Sequence, residues 1–264
     1  MLLIDAINAR RSATLCVSLS SNPGTFGITV HNAGYLALGL NFKYVACFSD
    51  NIGRDIALLK QHGVRGCSIS MPFKQTVIQH LDYVDVTARV TKAVNTIVNV
   101  DGYLMGFNTD VSGFAQQINY GQLANNEEIK VYGAGGAARA VLFALREFEN
   151  VSICTRNEVA GKLLAADFNR PYLNMSDYGV DVGTIINCTP VGMKNETFDF
   201  VDLANVQKWI DLVVTETPTV KAAKALGIPA YSGKIMALGQ AAAQFYLYTG
   251  FPAPFSVMRD SLNA

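Results

Sequence analysis

The segment Val131-Tyr132-Gly133-Ala134-Gly135-Gly136-Ala137-Ala138-Arg139-Ala140 limits what this chain can fold into more than any other. It follows the apolar run Ile129–Tyr132 and opens a stretch of helix-forming residues. Gly133, Gly135 and Ala138 stand at the spacing G-x-G-x-x-[GA], with Gly136 as an additional glycine. The first glycine permits a tight turn out of a strand. The second lets backbone approach a pyrophosphate, and the third small residue lets helix and strand pack closely. The helix N-terminus then offers unpaired N–H groups and a positive dipole end to phosphate. Alone the motif is weak, because any strand-to-helix turn can use glycine. Here a second β-like run, Val151–Cys154, lies at the distance a βαβ unit needs. Dinucleotide binding by Gly133, Ala134, Gly135, Gly136 and Ala137 is therefore expected.

The end of that second run selects between cofactors. A nicotinamide site without a 2′-phosphate usually places Asp or Glu there, about 20 residues on, for the ribose 2′-OH. This chain has Cys154-Thr155-Arg156-Asn157 instead. Arg156 can pair with a 2′-phosphate, and Thr155 and Asn157 offer hydrogen bonds. The expected cofactor is NADP. The bland alternative is that Arg156 is a solvated loop cation.

β-like and helix-like segments alternate on both sides of the glycine turn. Strands are expected at residues 14–19, 43–48 and 67–70, and helices at 29–38, 52–61, 74–81 and 85–91. Residues 96–100 and 103–106 flank Asp101-Gly102, a hairpin-turn dipeptide. A helix at 111–118 takes Asp110 as its N-cap. The second series has strands at 129–132, 151–154, 184–187 and 209–214, with helices at 137–147, 160–168, 221–226 and 234–249. The polar stretch 121–128 reads as the linker between the series. Such alternation predicts parallel sheets covered by helices. The expected fold class is α/β: two α/β domains flanking a cleft, the second a Rossmann-type doubly wound parallel sheet. The substrate domain is placed at 1–110, joined by the C-terminal helix 236–264, and the cofactor domain at 111–235.

Composition removes other classes. Half of the 264 residues are hydrophobic and 16% are charged, which suits a packed core and excludes a disordered chain. Lys+Arg and Asp+Glu balance at 21 each, which argues against a dedicated nucleic-acid binder but not against a small anionic ligand. No apolar run approaches the ~20 residues of a membrane helix, and the start lacks a secretory layout. The five cysteines (16, 47, 67, 154, 188) form no CxxC pair, which fits a reducing cytoplasm. His31, His62 and His80 share no metal-ligand spacing and are assigned surface or structural roles, with no metal site. The expected partner is a small-molecule substrate, and the chain a monomer or homodimer.

Five further patches are unusual together: Ser68-Ile-Ser-Met-Pro-Phe-Lys74, Ala93-Val-Asn-Thr96, Gly106-Phe-Asn-Thr-Asp110, Asn187-Cys-Thr-Pro-Val-Gly-Met193 and Gly239-Gln-Ala-Ala-Ala-Gln-Phe245. In this order around the glycine turn, they resemble the shikimate dehydrogenase family over about residues 14–250. The resemblance implies NADP-dependent interconversion of 3-dehydroshikimate and shikimate, on the chorismate route to aromatic amino acids. It implies Lys74 and Asp110 as the catalytic pair, with Asn95, Thr109 and Gln240 binding ring hydroxyls. Thr189 and Met193 would line the nicotinamide side, with Leu212 and Gly233 also at the cofactor. The chemistry agrees independently. Hydride addition to a ketone builds negative charge on oxygen, which a cation such as Lys74 stabilises and protonates. Taken singly, Lys74 could be a surface lysine, Asp110 only a cap and Gln240 a satisfied helix polar group.

The chain also departs from the family pattern. Where the family carries Asn-x-Thr before x-Pro-x-Lys, this chain has Ser68-Ile69-Ser70, which keeps a hydroxyl at Ser70 but shortens the reach at position 68. The hydroxyls expected on a substrate carboxylate are Ser18 and Ser20, or Ser18 and Thr29. Val214 stands where the family commonly has Tyr. This combination is that of a divergent, shikimate dehydrogenase-like paralogue. A weakly active or inactive NADP- or metabolite-binding homologue and a quinate dehydrogenase are the alternatives.

Overall fold

In this computed structural model, which describes residues 1–10, 12–174 and 182–263, the chain divides into two compact units. The first is Met1–Thr109 with Leu238–Ala264, and the second is Asp110–Ala237.

The first unit runs through α1 (Leu3–Asn8), β1 (Thr14–Ser20), α2 (Phe26–Ala37), β2 (Phe42–Phe48), α3 (Ile52–Gln61), β3 (Gly66–Ile69), β4 (Tyr83–Val84), α4 (Val86–Thr91), β5 (Thr96–Val100) and β6 (Tyr103–Phe107). Its sheet has the order β2-β1-β3-β5-β6-β4. β1 lies parallel to both neighbours, but β5 is antiparallel to β3 and to β6. The sheet is therefore mixed, not the purely parallel one expected. The reason is local: Asp101 and Gly102 both adopt positive φ (51° and 87°), which closes a tight turn, and strands joined by such a turn must run antiparallel. Alternation along β1 sends Leu15, Val17 and Leu19 to one apolar cluster and Cys16 to another, so both faces are covered. Tyr248 packs so closely over β3 that a Cβ on Gly66 would sit 2.3 Å from its ring.

The second unit contains α5 (Asp110–Gly121), β7 (Ile129–Tyr132), α6 (Gly136–Ala144), β8 (Val151–Cys154), α7 (Glu158–Phe168), β9 (Tyr172–Leu173), β10 (Val182–Asn187), β11 (Val206–Asp211), α8 (Pro218–Ala225) and β12 (Ala230–Tyr231). α9 (Lys234–Thr249) starts in this unit and continues into the first, followed there by α10 (Phe255–Asp260). The second sheet is parallel throughout, in the order β12-β11-β10-β7-β8-β9. Counted along this unit's own sequence, its first strand, β7, stands in the middle, with β8 and β9 to one side and β10, β11 and β12 to the other. That is the doubly wound arrangement, with its topological switch between β7 and β10. Apolar residues cover both faces, Ile186 and Ile210 on one side, Ile185 and Trp209 on the other.

Several local expectations are corrected. α2 begins at Phe26, three residues before Thr29, because Phe26 and Ile28 already pack into the core. Residues 74–81 form only a 3-10 turn at Thr76–His80, where the β-branched run Thr76-Val77-Ile78 disfavours a longer helix. Asp110 is the first residue of α5 rather than its cap. The stretch 121–128, though largely exposed, lies inside the second unit, which begins at Asp110, so it does not link the two units. Leu123 N–H closes on the Ile118 carbonyl, and the Glu127 carboxylate takes the Lys208 ammonium at 3.1 Å and the Thr184 hydroxyl.

Candidate active site and cofactor platform

The first sheet gathers polar residues at one edge. β1 and β3 end there, the antiparallel β5 begins there, and β6 ends there. Ser18, Ser68, Thr96 and Phe107 follow one another in register across the four strands. Ser20 closes β1 and is buried, while Ser18 is half-buried. Ser70 stands just past β3 and is exposed, and its N–H donates to the Leu19 carbonyl. Asn95 sits just before β5 and Thr109 just after β6, both buried.

Backbone bonds stitch these positions together. Val94 N–H donates to the Lys74 carbonyl at 2.8 Å, and Ile69 N–H to the Asn95 carbonyl at 2.8 Å. The half-buried Lys74 is thus tied to the residue preceding Asn95. The Asn95 side-chain oxygen accepts from Thr109 N–H (2.8 Å), the Thr109 hydroxyl (3.0 Å) and the Thr96 hydroxyl (2.7 Å). Those three donors fix which way the amide is turned. Thr29 lies in the first turn of α2, and its hydroxyl donates to the Thr25 carbonyl.

α9 brings two glutamines. Gln240 is half-buried, whereas Gln244, one turn later, is 2% exposed and fully hydrogen-bonded within the first unit. Sequence reasoning passed over Gln244; its spacing of four residues from Gln240 on an Ala-rich helix face was the available signal. His31 belongs to the same buried cluster, stacked on Tyr44 with ring centroids 4.4 Å apart, so a surface role is excluded. Burial pushes its imidazole down to about 4, partly offset by the Gln244 hydrogen bond.

The second unit presents its glycine turn at the carboxyl end of β7. Gly133 adopts φ +116°, a conformation L side chains rarely take. A Cβ there would meet the Cys188 carbonyl group at 3.2 Å and the Thr189 methyl at 3.4 Å, so the turn and the loop after β10 are in contact at the switch point. A Cβ on Gly135, by contrast, would project into open space. Gly135 caps the nine-residue α6, leaving Gly136 and Ala137 in its first turn beside Ala134. An unobstructed helix N-terminus at a switch point is the geometry a diphosphate requires.

Past β8, Thr155 is half-buried and Arg156 exposed, and the Asn157 side chain accepts from Ala160 N–H to cap α7. No carboxylate ends the strand; Glu158 is already in α7, paired with Lys162. Gly233 lies against Leu212: its N–H donates to the Val213 carbonyl at 2.8 Å, and a Cβ would fall 2.2 Å from the Leu212 oxygen. Met193 is 58% exposed in the loop after β10, and Val214 is exposed after β11.

Asp211 was absent from the expected set. Its carboxylate accepts from Val213 N–H (2.9 Å), the Thr217 hydroxyl (3.0 Å) and the Asn187 amide (3.2 Å). The Asn187 side-chain oxygen in turn accepts from the Thr189 N–H and hydroxyl. One buried acid therefore braces the loops after β10 and β11. Burial raises its pKa, and the hydrogen bonds to it oppose that rise.

Two family models match this chain, and apart from residues 236 and 237 both matched stretches lie in the first unit. The family model for the shikimate dehydrogenase substrate binding domain matches residues 25–97, and that for the shikimate 5'-dehydrogenase C-terminal domain matches residues 236–262. The chain is similar to a shikimate dehydrogenase-like protein of Haemophilus influenzae, 38% identical over 90% of this chain and 92% of the relative. It is similar to a shikimate dehydrogenase (NADP(+)) of Desulforamulus reducens, 33% identical over 90% of each chain. Among solved structures, a shikimate dehydrogenase in complex with NADP+ superposes with a TM-score of 0.87 at 28% identity, covering 95% of both chains.

Proposed function

The chain belongs to the shikimate dehydrogenase family, and on that premise we propose that it is an NADP-dependent oxidoreductase interconverting 3-dehydroshikimate and shikimate, or a close cyclic polyol carboxylate. The first unit is the substrate domain and the second the NADP domain. The observation that supports the reading is the end of the first sheet at which Ser18, Ser20, Asn95 and Thr109 lie, with the Lys74 carbonyl bonded to the Val94 N–H beside Asn95.

NADP fits the residues present: a glycine turn in contact with the loop after β10, open space over Gly135, and Thr155-Arg156-Asn157 in place of an acid. When bound, the reduced nicotinamide supplies the hydride. Gly133 to Ala137 hold the diphosphate with backbone N–H groups, and Arg156 pairs with the 2′-phosphate. Thr189, Met193, Leu212 and Gly233 line the nicotinamide end. Asn95, Thr109 and Gln240 orient ring hydroxyls, and Ser18, with Ser20 or Thr29, takes the carboxylate, Ser70 standing beside them. The Lys74 ammonium stabilises the oxyanion that forms at the ketone and delivers its proton, while Asp110 binds the neighbouring hydroxyl and holds the ammonium in place.

The test is nucleotide-coupled turnover with shikimate and with quinate, each with NADP and with NAD. Turnover of shikimate with NADP supports the reading. Quinate preference makes the chain a quinate dehydrogenase. Tight NADP binding without turnover of either makes it a binding module, a reading favoured by Val214 and by the fully engaged Ser68.

A further inference from the structure

We propose that Gln244 is a positioning residue: by holding Thr96 and the Asn95 backbone, its buried amide sets the orientation of Asn95 and Thr109 and so the affinity for the ring polyol. The inference rests on the function proposed above, and it concerns a side chain that sits behind the substrate-binding residues.

Gln244 uses its whole hydrogen-bonding capacity. Its nitrogen donates to the Thr96 hydroxyl (3.0 Å) and the Asn95 carbonyl (3.4 Å). Its oxygen accepts from the Ser68 hydroxyl (3.0 Å) and meets His31 Nε2 at 3.3 Å. An amide oxygen can only accept, so His31 carries its proton on Nε2 and donates there. Ser68 spends its single proton on Gln244. The phenols of Tyr44 (2.7 Å) and Tyr248 (3.2 Å) therefore both donate to Ser68.

That polarity propagates toward the substrate residues. Thr96 accepts from Gln244 and gives its own proton to the Asn95 side-chain oxygen at 2.7 Å, an atom that can only accept, with the Thr109 hydroxyl 3.0 Å away. Thr109 gives the same oxygen both its N–H and its hydroxyl proton. The Asn95 oxygen is thereby committed inward and its nitrogen is the other end of a fixed amide. A ring hydroxyl, which is both donor and acceptor, matches an Asn95 nitrogen that donates and a Thr109 oxygen that accepts. Without Gln244, the Thr96 hydroxyl is left with the Asn95 side-chain oxygen and the Thr109 hydroxyl, 3.0 Å away, and loses the donor that ties it to α9.

The experiment is calorimetric titration of the parent, Gln244→Met, Thr96→Val and the double variant, with shikimate and separately with NADP. Each single variant is expected to raise the shikimate Kd by about tenfold or more, as removal of a buried hydrogen-bonding partner does. The double variant is expected to lose no more than the worse single one, because both act through one path. The NADP Kd stays within about twofold, since a tenfold change is what one lost interaction costs. Gln244→Glu, which keeps the volume and the acceptors but lacks both donors, reproduces the loss if Gln244→Met does not fold. Unchanged shikimate affinity, additive losses in the double variant, or equal weakening of both ligands overturns the inference. A parent that binds no shikimate overturns the proposed function, and this inference with it. A parent that binds while the variants bind equally well removes the role of Gln244 alone.

Discussion

At the scale of single residues, the side chains proposed to meet a ligand are distinct from the side chains that hold them. Lys74, Asn95 and Thr109 stand out in the sequence because they lie in short patches with recognisable spacing. Gln244 and Asp211 do not, because their roles depend on partners far along the chain: Gln244 reaches Thr96 across 148 positions and Asp211 reaches Asn187 across 24. No local pattern encodes such a pairing. His31 shows the same limit. Its sequence neighbourhood suggests nothing, yet it is fully buried with Nδ1 lacking a hydrogen-bond partner. With a folded-state value of about 4 against the ordinary 6.5, the folded state binds fewer protons than the unfolded one between those values. Stability from His31 is thus complete above pH 6.5 and is lost as pH falls toward 4, by roughly 3 kcal/mol. Thermal unfolding from pH 8 to pH 4 checks this: the parent should lose more stability across that window than His31→Gln. Parallel curves for the two proteins contradict it.

At the scale of elements, turn chemistry decides more than periodicity. Asp101-Gly102 is legible as a hairpin, and that hairpin is what makes the first sheet mixed. The error lies in extending the parallel rule past it. The glycine turn of β7 and α6 is legible for a related reason, since its positive φ and close approach demand glycine. Gly133→Ala forces a Cβ to 3.2 Å from the Cys188 carbonyl group at φ +116°. The expected cost is about 1–3 kcal/mol of stability, and fluorescence titration should show weakened NADP binding. A variant with the parent's melting temperature and NADP affinity contradicts the role given to this turn. The 121–128 stretch misleads because a polar, largely exposed loop within a unit reads like one between units, and the bonds of Glu127 to Lys208 and Thr184 that tie it to its unit are long-range.

At the scale of the whole molecule, neutral charge hides a local asymmetry. The chain carries 21 cationic and 21 anionic side chains, yet no acid ends β8, and Arg156 stands just past it. Arg156→Ala is expected to lower the preference for NADP over NAD by about tenfold, the loss of one charge-assisted contact, in steady-state comparison of the two nucleotides. An unchanged preference contradicts the assignment. The strand order of the second sheet, its switch point and the division into two units make the architecture that of a two-domain α/β protein, with the proposed substrate residues at one end of the first sheet and the glycine turn in the second unit. The central claim concerns Lys74. The most direct measurement is the rate of NADPH formation from shikimate by the parent and by Lys74→Met at saturating NADP, with NADP affinity measured in parallel. The account predicts turnover by the parent, a fall of about a hundredfold or more in Lys74→Met, and equal NADP binding. No turnover by the parent, or equal rates in the two proteins, contradicts it.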